Sequence, residues 1–155
     1  MAGVFQTRFG GSNAPLEEQG NCFQACVATV LRIPLSEAFD CRPIPGERWF
    51  AEFNEWLEQY GLGCIFLEAQ NETVLATILK GVHIAEHMSE TLYNGERHAV
   101  VIIDGALVHD PNPYAERQGK LQGVYLFVPL EACRMVRLKY ALRPPLSRIE
   151  VGSAA

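Results

Sequence analysis

Apolar positions recur at helical spacing in the first third of the chain and in short strand-like runs afterwards. Phe23, Val27, Val30 and Leu31 share one face of a segment from Cys22 to Arg32, which predicts a helix buried on that side. Asn21 stands where a side-chain oxygen would accept from the free amides of the first turn, and Pro34 ends the run. Ser36 to Phe39 reads as a short helical turn. From Glu47 to Tyr60, Trp49, Phe50, Phe53, Trp56, Leu57 and Tyr60 form a broad stripe, a second core helix with Gly61 at its C-terminal cap.

Beyond Gly63 the pattern changes. Cys64 to Leu67 and Val82 to Ala85 read as strands, with a short helix over Asn71 to Lys80 between them. Arg97 to Ile103 and Ala106 to His109 flank Asp104-Gly105, a dipeptide suited to the positive backbone angles of a two-residue hairpin turn. Gly123 to Val128 is a further strand, Pro129 to Val136 a brief helical turn, and Arg137 to Leu142 a last edge strand. Helices first and strands later predict an α+β domain, N-terminal helices packed on a C-terminal antiparallel sheet. Residues 1–142 are expected to form this single domain, with 143–155 a flexible tail. The first dozen residues are also expected to lie outside the packed core.

The 155 residues, 48% of them hydrophobic, suffice for one core. A net charge of −5 without a run of lysine and arginine argues against nucleic acid as a partner. No apolar run is long enough to predict a membrane span, and the first residues lack the basic-then-apolar order of a signal peptide. Five cysteines, an odd number at irregular spacing, fit a protein with reduced thiols in the cytoplasm.

Two stretches carry the candidate chemistry. Gly20-Asn21-Cys22 puts a thiol at the mouth of a helix, and His98 opens a strand that leads through the Asp104-Gly105 turn to His109-Asp110-Pro111. A thiol attacks an acyl group as thiolate, which a helix N-terminus and a neighbouring imidazolium both favour. Cys22 has the first, and His98 is placed to supply the second and then to protonate a leaving amine. Asp110 and His109 compete to orient the imidazole. With Asp104-Gly105 as the whole loop, Val100 opposes His109, so His98 shares a sheet face with His109 while Asp110 points away. A bulge would shift the register by one and bring Asp110 round.

The order Cys22, His98, Asp110 resembles the papain-like cysteine hydrolases. Asn21-Cys22-Phe23-Gln24-Ala25-Cys26-Val27-Ala28 is similar to the Asp-Cys-Gly-x-Ala-Cys-Leu-Ala box of the bacteriocin-processing, double-glycine peptidases. His98-Ala99-Val100-Val101 and Asp110-Pro111 match that branch's His-x-Val-Val strand and Asp-Pro pair. Short bacterial and phage-encoded proteins with Gly-Asn-Cys and His-Asp-Pro boxes are also similar. The two boxes cover about 25 of the 155 residues. The resemblance implies Cys22 as nucleophile, His98 as base and Asp110 as third member, with His109 the alternative. That branch carries an oxyanion-holding glutamine six residues before its cysteine, where this chain has Leu16, so Gln19 or Gln6 would have to serve through a folded-back loop. Gln19-Gly20-Asn21-Cys22-Phe23-Gln24-Ala25-Cys26 also echoes the box of papain itself, which would make Cys26 the nucleophile.

These features predict a thiol hydrolase acting on an amide or isopeptide bond of a peptide or protein, with no cofactor, metal, nucleic acid or membrane required. The sequence leaves open whether it is a peptidase, an amidase or a deamidase, and in what oligomeric state it acts. Rival readings are a catalytically silent papain-like scaffold that binds or inhibits a protein, and a redox sensor built on Cys22 and Cys26. Cys41, Cys64 and Cys133 read as small core residues. A metal site drawn from Cys22, Cys26, His98, His109, His83 and His87 lacks a strong zinc spacing.

Overall fold

A computed structural model describes residues 2–70, 80–89, 96–114 and 118–131. The expected helix over Asn71 to Lys80, the strand over Arg137 to Leu142, the tail 143–155 and Cys133 fall wholly or almost wholly outside these residues.

Helix α1 (Cys22–Leu31) starts and ends close to where the apolar spacing places it, with Arg32 in the left-handed region at its C-terminal end. Ala25, Cys26, Val27, Ala28 and Thr29 are buried. Thr29 bonds back to Ala25, its own helix's carbonyl, and also receives the amide of Val4. A short 3-10 turn (Leu35–Glu37) is tied to α1 by Gln24, whose side-chain nitrogen donates to the carbonyls of Leu35 and Ala38. Helix α2 (Arg48–Leu57) runs into a second 3-10 turn (Glu58–Tyr60), and Gly61 at φ 66° turns the chain into the sheet.

Five strands follow: β1 (Leu62–Glu68), β2 (Val82–Ser89), β3 (Arg97–Ile103), β4 (Ala106–His109) and β5 (Gln118–Pro129). They form one antiparallel sheet in the order β1-β5-β2-β3-β4. The architecture is α+β. Strand β2 extends well past its apolar run because it is hydrogen-bonded on both sides, so polar positions such as Glu86 are held by the ladder, and β5 starts early through pairing of Gln118 and Leu121 with β2.

Helices α1 and α2 close one face of the sheet around Phe53, Leu57, Ile84, Val101 and Tyr125, all buried. Phe23 sits at the centre of this core and meets Trp49, Phe53 and Tyr125 edge to face. Ala85, Val100 and Val124 form a smaller cluster on the alternate positions of β2, β3 and β5. Truncating Phe53 to Ala would cost about 3–5 kcal/mol, the usual value for an aromatic ring lost from a packed core.

The N-terminal segment overturns the expectation that it lies apart. Val4 packs against the core, Gln6 is buried, and the amide of Gln6 donates to Pro111 at 3.0 Å. The segment is bound from two sides, by α1 through Thr29 and Asn21 and by the end of the β3–β4 hairpin. Its polar backbone is thereby satisfied without apolar periodicity.

Candidate active site

Asn21 sits directly before α1 but does not cap it. Its Oδ1 accepts the backbone amides of Thr7 and Arg8 at 3.0 and 3.1 Å, while Nδ2 donates to Thr7 Oγ1 and Gln24 Oε1. The expected cap is thus replaced by a clasp that holds segment 6–8 beside the helix mouth. The next residue is Cys22.

The Asp104-Gly105 turn forms as expected, with φ of 51° and 83° at its two residues. Ile103 opposes Ala106 and Ile102 opposes Leu107, but Val101 opposes His109, so one residue, Val108, is extra on β4. The regular pairing of Val100 with His109 is therefore overturned, and the bulge turns Asp110 onto the face of His98. His98 Nε2 and Asp110 Oδ1 lie 2.8 Å apart. His109 points elsewhere: its Nε2 lies 2.8 Å from the carbonyl oxygen of Val4, and its ring meets Phe5. The backbone amide of Asn112 donates to the same Asp110 oxygen at 2.8 Å.

His98 is buried to 9% exposure, which opposes its charged form; hydrogen bonds with Asp110 and Cys22, and the charges of both, outweigh this and raise its pKa to about 10. With Nε2 engaged by Asp110, Nδ1 is the nitrogen left for the thiol. Burial pushes the Asp110 carboxyl up, but the bonds from His98 and from the Asn112 amide win and hold it below the ordinary range. The arrangement favours a charged imidazolium between two groups able to carry negative charge.

Cys26 is fully buried, and burial together with the charges of Cys22 and Asp110 pushes its thiol well above the ordinary value. It packs as a core residue. Burial and the neighbouring Asp40 raise the Cys41 thiol to about 12. Of the thiols described here, Cys22 is the one that lines the cleft beside His98.

That cleft, about 210 Å³, is walled by Gln6, Gly10, Gly11, Gln19, Gly20 and Cys22 on one side and by Glu96, Arg97 and His98 on the other. Both candidate glutamines reach it. Gln19 is committed to its own loop, its Nε2 donating to the carbonyls of Ser12 and Ala14. Gln6 is 8% exposed, and among the described residues its Nε2 donates only to Arg8 O, at 3.1 Å, and its buried Oε1 has no partner. Asn112 and Glu96, absent from the candidates read from sequence, also line the cleft. The turn-forming run Asp110-Pro111-Asn112-Pro113 was the signal available for Asn112, and the polar run ending in Asn94-Gly95-Glu96 just before His98, readable as a rim loop over the site or as an exposed connection, was the signal for Glu96.

Among the described residues, no group of His, Cys, Asp and Glu is arranged to hold a metal ion, and no helix is long and apolar enough to cross a membrane. Compared with known proteins, the chain matches no family model, no curated protein and no solved structure.

Proposed function

We propose that this chain is a papain-like thiol hydrolase that cleaves or deamidates an amide or isopeptide bond of a peptide or protein. The observation that carries the reading is the placement of His98 between the Cys22 thiol and the Asp110 carboxylate. In this reading the Cys22 thiolate attacks the carbonyl carbon, and the oxyanion is met by the Cys22 backbone amide and by the Gln6 side chain. Gln6 spends one N–H on Arg8, so its second is free to donate. His98 gives its proton to the leaving nitrogen, and the acyl group stays on sulfur as a thioester. Water then attacks with His98 as base, and Cys22 is regenerated as the carboxylate product leaves. Asp110 keeps the imidazole oriented through Nε2.

The proposed setting is the cytoplasm. Cys22, Cys26 and Cys41 are free thiols, as suits a reducing compartment.

The test is alkylation of Cys22 by iodoacetamide at pH 7, followed site by site by mass spectrometry, in the parent chain and in His98→Ala. Alkylation at least about tenfold faster with His98 present supports an activated thiol. Equal rates would overturn the reading and leave the silent binding scaffold in its place.

A further inference from the structure

The loop from Gly10 to Gly20 forms one wall of the cleft, and its shape is internally fixed. Gly10 and Gln19 bridge, Gly20 donates to Gly10, and Gln19 Nε2 holds the carbonyls of Ser12 and Ala14. The loop is joined to the facing wall by Glu96. Its Oε1 accepts the Ser12 amide at 2.7 Å and the Ser12 hydroxyl at 2.5 Å. Gly11 allows this approach, since a Cβ there would stand 3.1 Å from the same oxygen. The latch joins two residues that line the cleft, so an extended chain running through it meets an obstruction at Ser12 and Glu96.

The latch leaves Glu96 Oε2 without a hydrogen-bond partner among the described residues. The other charged group on that wall, Arg97, is balanced by Glu86, whose Oε2 it meets at 2.9 Å. The latch therefore presents one carboxylate oxygen that has no partner among the described residues. Glu96 lies two residues before His98, about 7 Å along the chain at about 3.3 Å per residue. Two residues of an extended substrate cover the same distance.

Resting on the hydrolase reading above, we infer that the cleft selects substrates with a free amino end, whose α-ammonium group pairs with Glu96 about two residues from the scissile bond. Glu96 is then a specificity-determining residue. An acetylated or internal sequence would bring a neutral amide, or more chain, to a position that offers a carboxylate and no passage.

The probes are a dipeptidyl chloromethyl ketone with a free amino terminus and its N-acetyl counterpart, with Cys22 alkylation followed by mass spectrometry. The free-amino reagent is expected to react about tenfold faster, the advantage a charge-assisted hydrogen bond confers. In Glu96→Gln the ratio falls toward one, while Ser12→Ala, which removes only one donor to Oε1, keeps it. Equal rates for the two reagents in the parent chain overturn the inference alone. If neither reagent modifies Cys22 while iodoacetamide does so at the rate of an ordinary thiol, the hydrolase reading falls and this inference with it.

Discussion

Asp110 reaches His98 because β4 carries one residue more than β3 has partners for. Val108 is that residue: paired regularly with Val101 it would set His109 opposite Val100, on the face of His98, and turn Asp110 away, whereas bulged out it lets Asp110 Oδ1 come within 2.8 Å of His98 Nε2. Deleting Val108 takes out the extra residue but leaves His109 opposite Val101, so Asp110 is expected to stay on the face of His98 and Cys22 to alkylate near the parent rate. Val108→Ala keeps the residue count and should leave the rate near that of the parent. A slower rate in the deletion alone would show that the bulge itself, and not the register it leaves, holds Asp110 against His98.

The raised pKa of His98 has a signed consequence for stability. An imidazole that titrates at 6.5 when unfolded and at about 10 when folded contributes stability fully present below pH 6.5 and lost as the pH rises toward 10. Asp110 works in the opposite direction, with a contribution present above its unfolded value of 3.8 and lost as the pH falls through its lowered folded one. Urea melts across pH 6 to 10 should therefore show a decline that is absent in His98→Ala. By NMR, the His98 ring in Asp110→Asn should titrate below its parent value, since the carboxylate charge is gone.

Gln6 and Gln19 are expected to behave differently on substitution. Removing Gln6 takes away one oxyanion donor in the proposed mechanism and should lower kcat by about 10² to 10³, with little change in KM. Removing Gln19 undoes two bonds inside the 10–20 loop and should act on KM and on the melting temperature instead. Steady-state kinetics on any amide substrate the protein accepts would distinguish the two. A larger kcat loss for Gln19→Ala would reverse the assignment.

Asn21 is buried and its side chain makes four hydrogen bonds, three of them to Thr7 and Arg8. Asn21→Ala leaves the amides of Thr7 and Arg8 without their acceptor and should cost about 1–3 kcal/mol for each that stays buried, measured by urea denaturation. Asn21→Asp keeps the acceptor for Thr7 and Arg8 but buries a carboxylate with one oxygen against Gln24 Oε1, so it too should destabilise.

Local signals were legible where one segment decides its own conformation. The α1 apolar face, the stripe of α2 and the Asp104-Gly105 turn all formed within a residue or two of their expected places, apart from the last turn of α2, which tightens to 3-10. Cys22 and His98 could be named from their places at a helix mouth and a strand head, and Asp110 from the resemblance alone. The competition between Asp110 and His109 could not be decided there, because the bulge is held by contacts distant in sequence: His109 with Val4, and Pro111 with Gln6. The N-terminal segment was misjudged for the same reason. Its residues show no periodicity, and their partners lie on α1 and beyond β4. Asn21 was read as a cap because the helix mouth was the nearest set of free amides; the folded-back chain offered it Thr7 and Arg8 instead.

The return of segment 4–8 across the end of the hairpin also bears on when the cleft comes into being. Gln6 and Cys22 leave the ribosome early, whereas His98 and Asp110 follow only after most of the sheet has been synthesised. Until β3, β4 and β5 have paired, Cys22 has neither imidazole nor cleft around it and is an unremarkable thiol on a half-made helix. The arrangement thus belongs to the finished molecule alone, and a nascent or partly unfolded chain stays chemically quiet towards its neighbours.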